Sequence, residues 1–385
     1  MTRGREIAIS VFFRAVSRVL RSGRPRFVPP PFWFHHDDAV AEIWFPTRGC
    51  RWSFIGYCNM CNFGLPDTFT QAQAIAAVRA ALAEIGDRAS AIWVSPFNML
   101  DETEVPAPMR REIMRLVAAS RASLVIFETH PETITPEAVR ECLTLLGGKS
   151  LSVELGVESM DPFVRLVCIN KSFDNAVIER ALTGIHRGGA SSNVNLFVGA
   201  PFLSRDEQIT DAVVSVDAAF AAGADHVILF PSHIKPHTLV AWMYERGMYE
   251  RLSLWSLVDV LARLQPRLLS RVHVAWLEPK DHPGAALIAE ATTCPRCIGP
   301  LLDTFDRHDR VLSLDSVAAL DAMCCACRPA ARAPEAPLRD RIAEALPPIG
   351  AGVLGDAWWS AHGEETVRSL DREWARLRAP LEGTA

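Results

Sequence analysis

The chain has 385 residues, of which 49% are hydrophobic and 22% charged, so a mainly disordered protein is excluded. No uncharged apolar run reaches the roughly 18 residues of a membrane span, and ten cysteines over this length are too sparse for a disulfide scaffold. The net charge of -5 is unevenly spread: residues 1–27 carry seven arginines against Glu6, which leaves eleven surplus negative charges on the rest.

That basic start reads as an amphipathic helix docking Ile9, Phe12, Phe13, Val16 and Leu20 on the body, with a nucleic-acid contact as the rival. It holds no continuous apolar stretch ending at a cleavage site, so no secretory signal is expected; the expected setting is a reducing cytoplasm. His35, His36, Asp37 and Asp38 resemble a metal cluster, but adjacent side chains seldom converge on one ion, and a loop is expected.

Strand-like runs then alternate with helical patterns. Strands are predicted at Glu42–Thr47, Ala91–Ser95, Leu124–Glu128, Ser152–Gly156, Val194–Gly199 and His226–Pro231. Helices are predicted near Thr70–Ile85, Pro106–Ser120, Pro136–Leu146, Phe173–Gly188, Arg205–Ala221 and Thr238–Arg246. Six βα units in series demand an α/β fold with a parallel sheet, doubly wound or curled into a barrel, and functional groups at the strands' C-terminal ends. Beyond Leu269 the pattern breaks up; 328–337 reads as a linker and Gly363–Leu377 as one charged helix. The expected division is a lead-in (1–40), a barrel (41–270), a cysteine-rich metal-binding extension (271–332), and a linker with a helix (333–385).

The chemistry-bearing feature follows the first predicted strand. Cys50, Cys58 and Cys61 form C-x7-C-x2-C on a glycine-bearing loop. Three thiolates wrapping one iron–sulfur cluster leave an iron with an open position, the mark of a catalytic metal. A three-thiolate zinc site and unrelated buried cysteines remain the alternatives on spacing alone.

Collinear motifs decide among these. TRGCRW (Thr47–Trp52), SPFNMLDETEVP (Ser95–Pro106), FETHPE (Phe127–Glu132), ELGVESMDPFVRLVCINKSF (Glu154–Phe173), PFLSRDEQITDAV (Pro201–Val213), CPRC (Cys294–Cys297) and CCAC (Cys324–Cys327) occur in that order. The chain thereby resembles the radical S-adenosylmethionine (SAM) superfamily from about Phe45 to Arg328. Within it, the likeness is to the family of the archaeosine synthase radical SAM subunit and the elongator-type proteins.

The resemblance implies a partial (βα)6 TIM-like barrel, a [4Fe-4S] cluster on Cys50, Cys58 and Cys61, and SAM chelated to the fourth iron. One-electron cleavage of SAM would give methionine and a 5'-deoxyadenosyl radical that takes hydrogen from the substrate. The first gap departs from the usual superfamily spacing, having seven residues instead of three. Further implications are an electron donor such as flavodoxin or ferredoxin, and a small-molecule substrate or, alternatively, a tRNA base undergoing C–N cleavage. Transfer of the 3-amino-3-carboxypropyl group of SAM is another outcome. The acidic body favours the small molecule.

Ser95 and Asn98 lie where the family offers groups to the SAM amino group; the usual Gly-Gly-Glu is replaced, and the alternative is a βα turn with Asp101 capping the next helix. Glu128 and Glu158 end strands and match polar SAM positions, against surface carboxylates. Gly199 and Pro201 resemble the segment approaching the adenine, against an ordinary turn. His233 and Lys235 in PSHIKPHT are candidate catalytic groups, against a decorated loop. Cys142 and Cys168 read as packing. Cys294, Cys297, Cys325 and Cys327 read as structural zinc in a reducing cell, with an auxiliary cluster or a soft-ligand substrate site as rivals, and Cys324 is unassigned.

Overall fold

A computed structural model describes residues 8–23, 30–35, 39–62, 70–275, 277, 287–305, 312–323, 325–330 and 336–378. His36, Asp37, Asp38 and Cys324 lie outside the described residues. Helix α1 (Ile9–Arg21) precedes a hairpin of β1 (Phe32–His35) and β2 (Val40–Trp44). A short α2 (Arg51–Ile55) and α3 (Gln71–Ile85) follow. Then come β3 (Ala91–Ser95), α4 (Ala107–Ala118), β4 (Leu124–Thr129), α5 (Pro136–Leu145), β5 (Ser150–Glu158) and α6 (Asn175–Gly188). The barrel finishes with β6 (Ser191–Val198), α7 (Arg205–Ala221), β7 (His226–Pro231), α8 (Leu239–Tyr244), α9 (Trp255–Arg263) and β8 (Val272–Val274). Beyond it lie α10 (Pro295–Phe305), α11 (Leu314–Asp321), α12 (Leu338–Ile349) and α13 (Asp356–Arg378).

The eight strands form one sheet in chain order, parallel from β2 to β8, with β1 antiparallel on one edge. This is the expected curled partial barrel with its six βα units, widened by β1 and β8. Both additions are short edge strands of three or four residues, too brief to show a period in the sequence. The helices start where the residues demand it. Thr70 with Gln73 and Ser204 with Glu207 form reciprocal capping boxes at α3 and α7, and the Asp174 carboxylate caps α6.

Strand residues alternate between two faces, apart from a register shift between Gly156 and Glu158 at the end of β5. Ile43, Val94, Val125, Phe127, Val153, Leu155, Val194, Leu196 and Leu229 join the helices in the main core. Glu42, Trp93, Glu128, Glu154, Glu158, Asn193 and Asn195 occupy the opposite, inward face. Cys297, Leu301, Phe305, Val317 and Leu320 of α10 and α11 belong to the main core, so the cysteine-rich extension packs on the barrel. The two ends of the chain share a second core: Ile9, Phe12, Phe13 and Val16 meet Leu338, Ile342, Leu346 and Leu370.

The final helix is longer than expected and starts at Asp356 instead of near Gly363, because Trp358 and Trp359 pack against Phe12. Among the described residues, no helix is long and apolar enough to cross a membrane.

Candidate active site

Cys50, Cys58 and Cys61 lie on the loop that leaves β2, at the strands' C-terminal ends, with Cys50 as N-cap of α2. Two layers hold this loop. On one side the Cys58 and Asn59 backbone N–H groups donate to the Asn170 and Ile169 carbonyls at 3.0 and 2.9 Å, and the Asn59 amide donates to the Cys168 carbonyl at 3.0 Å. On the other stands α1. The Arg21 guanidinium, 7% exposed, donates to the carbonyls of Ser53 at 2.6 Å, Tyr57 at 2.7 Å and Cys58 at 2.6 Å. Gly56 is glycine because a Cβ there would lie 2.3 Å from the Arg14 carbonyl oxygen, at a φ of 102°. The described part of the basic N-terminal segment is therefore a docked helix, as expected, and one of its arginines clamps the cysteine loop.

The collinear motifs interlock around this loop. Buried Glu104 accepts hydrogen bonds from Thr47 Oγ1 (3.0 Å), the Phe97 N–H (2.8 Å) and Asn98 Nδ2 (2.9 Å). Burial pushes its carboxyl up to about 7 while those donors pull the other way. Asp101 does not cap a helix, since α4 begins at Ala107 behind Pro106; it pairs with Arg51 at 3.1 Å and accepts from the Thr103 N–H. Trp52 stacks on His130 with centroids 3.6 Å apart and donates to Glu132 Oε2 at 3.1 Å, which ties TRGCRW to FETHPE.

The three thiols are close enough to act on one another electrostatically. Burial pushes Cys58 up to about 12, with Lys171 opposing and Cys61, Cys50 and Glu158 adding. Burial and Glu104 push Cys50 up to about 11, although the Ser53 backbone N–H and Asn98 side chain donate to its sulfur. Ionising Cys50 and Cys58 is therefore favoured by a positive charge at the site, as a metal cluster brings.

Beside the trio, Lys171 Nζ lies 2.9 Å from Glu158 Oε1 and donates to the Gly156 carbonyl at 2.6 Å. Burial pulls the Lys171 ammonium down, but Glu158, Cys58 and Glu128 together raise it above its ordinary value. Gly156 makes this convergence possible: a Cβ there would stand 3.0 Å from Glu128 Oε1, 3.2 Å from Lys171 Nζ and 3.3 Å from Glu158 Oε1. Glu158, the last residue of β5, has a φ of 71° and is 6% exposed, and its Oε2 has no hydrogen-bond partner. A strained carboxylate with a buried, unused acceptor suits a donor-bearing ligand such as a ribose or an ammonium.

The other sequence candidates divide into two groups. Lys235 lies near Cys61, Glu158 and Glu128, and burial lowers its ammonium. Its loop closes on the cysteine loop: Asn62 donates to the Pro236 carbonyl at 3.0 Å, and the Leu239 N–H to Asn59 at 3.0 Å. Ser95 ends β3, half-buried and in register with Trp44. His233 is buried, and its Nδ1 accepts from the Ala291 N–H at 3.2 Å. Asn98 is committed to Glu104 and Cys50. Gly199 is required by the chain's own packing, since a Cβ would lie 2.5 Å from Ser232 Cβ and 2.9 Å from the Tyr249 hydroxyl. Pro201 is buried two residues beyond it. Sequence reasoning missed Lys171, Gly156, Glu104 and Arg21 as site-building residues. Lys171 and Glu104 were visible as charges inside quoted motifs; Arg21 carried no signal apart from its helix.

The second group, Cys294, Cys297, Cys325 and Cys327, brings four sulfurs within 4.8 Å of one another. Sγ–Sγ separations are 3.8 Å for Cys294–Cys325 and 3.7 Å for Cys297–Cys327. Thiolates about 2.3 Å from one tetrahedral ion lie about 3.8 Å apart, so this spacing fits a single-metal centre. A four-iron cube gives each thiolate its own corner iron and spreads the sulfurs wider. Trp255 Nε1–H donates to Cys327 Sγ at 3.2 Å, and Thr293 Oγ1 lies 3.3 Å from the same sulfur. These supply the outer hydrogen bonds that orient a metal ligand. Cys142 and Cys168 are buried, as expected of packing residues.

No family profile matches this chain. Archaeosine synthase subunit beta of Methanosarcina acetivorans is 28% identical over 287 residues, spanning 73% of this chain and 81% of that protein. The subunit beta of Thermococcus kodakarensis is 28% identical over 244 residues, spanning 60% and 75%. Among solved structures, the radical SAM methyltransferase TsrM from Kitasatospora setae, with tryptophan and a SAM analogue bound, has a TM-score of 0.44 at 11% identity, covering 65% of this chain and 57% of that one. The chain is thus similar, over most of its length, to proteins named as archaeosine synthase beta subunits.

Proposed function

We infer that this chain, an enzyme of the radical SAM class, holds a [4Fe-4S] cluster on Cys50, Cys58 and Cys61 and acts on a substrate bound inside the half-barrel. The supporting observation is the meeting of three mutually acting thiols with the Lys171–Glu158 pair at the strands' C-terminal ends. When bound, cluster and SAM supply one-electron cleavage to methionine and a 5'-deoxyadenosyl radical that removes hydrogen from carbon.

The chain's residues do the positioning. Arg21 and Asn170 keep the cysteine loop rigid from opposite sides. Glu158, held by Lys171, offers Oε2 to a hydroxyl or ammonium of SAM, and Glu128 borders the same space. Ser95, Asn98, Gly199 and Pro201 complete the proposed SAM wall by position. Lys235 is the candidate proton donor at the mouth, and His233 supports its loop through Ala291. A flavodoxin or ferredoxin is the proposed electron donor, and zinc is the proposed occupant of Cys294, Cys297, Cys325 and Cys327.

The substrate we favour is a small molecule. A second reading follows from the relatives: proteins named as a beta subunit of archaeosine synthase suggest a tRNA base as substrate and a partner subunit. Anaerobically reconstituted protein is expected to hold about four irons at the trio and, once reduced, to release 5'-deoxyadenosine from SAM. Full iron content in Cys58→Ala would refute the ligand set, and release of methylthioadenosine would assign aminocarboxypropyl transfer instead. Retention on tRNA that falls steeply with salt would favour the second reading.

A further inference from the structure

In a closed eight-stranded barrel the inward side chains interdigitate and fill the interior. Two strands of this sheet depart from that. Along β4 and β7 every outward residue is buried, and every inward one keeps partial access. The inward Glu42, Glu154 and Asn195 of β2, β5 and β6 are buried, so the accessible part of the interior is a cleft along β4 and β7, beside those groups.

Those residues are acceptors. Glu128 and Glu154 stand side by side in register on β4 and β5, and Glu42 on β2 is near enough to act on both. Asn195 Nδ2 and Asn193 Nδ2 donate to Glu154 at 3.3 and 3.5 Å. Asn195 is 8% exposed, and its Oδ1 has no hydrogen-bond partner. Trp93, in register with Glu42, adds an aromatic face.

Two separate features ask for the same occupant. Three carboxylates crowded in a low-dielectric wall are stabilised by a cation among them. Glu42 already has His35 Nε2 at 2.8 Å, and Lys171, bound to Glu158 at the mouth, also acts on Glu128, which leaves Glu154 as the carboxylate with no cation acting on it. The unused Asn195 oxygen independently requires an N–H or O–H donor. An indole face beside these acids attracts a cation further. We propose that the cleft binds the cationic nitrogen of the substrate, a primary ammonium or amidinium on a flat or apolar body, against Glu154, Glu128 and Asn195. This deepens the proposed radical SAM reading and rests on it only in taking the occupant to be the substrate.

The test is calorimetric titration of the full chain with phenethylammonium and with its neutral counterpart 2-phenylethanol. The amine is expected to bind saturably, roughly tenfold or more tighter than the alcohol. Glu154→Gln, which keeps the shape of the side chain, and Asn195→Leu are each expected to lose roughly tenfold in amine affinity, with melting temperatures read on the same samples. Equal affinity for the two probes, no amine binding, or an unaffected and folded Glu154→Gln overturns the proposal. The wild-type comparison of the two probes stands even if a variant fails to fold. Iron content and 5'-deoxyadenosine release report on the radical reading separately. A chain that binds the amine but never iron keeps the cleft and loses the cluster, and one that cleaves SAM but ignores the probe's charge does the opposite.

Discussion

The two cysteine groups differ in spacing, in neighbours and in support. The C-terminal four have their sulfurs 3.7–3.8 Å apart in facing pairs, a spacing that fits one ion; Cys297 lies in the main hydrophobic core and the other three pack against it. Indole and hydroxyl groups press on Cys327. The N-terminal three lie among Glu158, Lys171 and Glu104, on a loop clamped by α1 and the 168–170 segment. Four thiolates closing on one ion use up its coordination, which is how a structural centre is built; three thiolates facing a polar cleft leave a coordination position for chemistry. Thiols are thus common to both regions, and ligand count with surroundings is what separates the roles proposed for them.

The largest expected effects come from exchanging losses between the two groups. Cys58→Ala should abolish SAM cleavage, by ~1000-fold or more, and remove iron while leaving zinc at full stoichiometry. Cys297→Ser should do the converse: zinc is lost, iron stays, and α10 and α11 become sensitive to protease. Because those helices contribute Leu301, Phe305, Val317 and Leu320 to the main core, stability should fall by about 3 kcal/mol or more. Metal analysis of both variants on matched samples decides the matter, and loss of both metals in either one would erase the distinction between the regions.

A smaller effect is expected at Arg21. Arg21→Met removes three charge-assisted hydrogen bonds to the Ser53, Tyr57 and Cys58 carbonyls, leaving those acceptors without this donor, at about 2–4 kcal/mol. Iron occupancy should drop partially and zinc should not. Equal losses at both centres would mean that α1 supports the whole fold and not the cysteine loop in particular.

How much of this was legible in the chain follows from the range of the forces involved. Alternating βα units and their inward and outward faces are local patterns, and the six expected strands lie where periodicity placed them, within a few residues. The edge strands β1 and β8 were invisible because strands of three or four residues carry no period. The cysteine trio and quartet were legible as spacings. The choice between a single-ion centre and a cube was not, because it depends on sulfur–sulfur distances between segments 27 residues apart. Lys171 and Glu158 are 13 residues apart in one quoted motif, yet their pairing depends on a turn at 164–168 and on the missing side chain of Gly156. Glu154 and Glu42 did carry a signal, a carboxylate in the middle of an apolar strand run, which marks a strand whose inward face is not packed core.

That last signal makes the smallest and most specific prediction. Burial raises Glu154 from an ordinary carboxyl value to about 7, against the pull of Asn195 and Asn193 and with Glu42 adding. The native state therefore keeps this proton to a higher pH than the unfolded chain does. Between about pH 4.5 and 7 it binds more protons than the unfolded state, so stability falls as pH rises through that window and the loss is complete above it. For a group 5% exposed the full change is about 1–3 kcal/mol. Glu154→Gln has no proton to lose, so its urea midpoint should match the wild type near pH 5 and exceed it near pH 8, with a shallower remaining slope from Glu128, which is raised to about 8. Parallel pH profiles for wild type and variant would mean that water or a counter-ion already satisfies the inner wall, and the acid-lined cleft would then differ from the closed cysteine centre in shape alone.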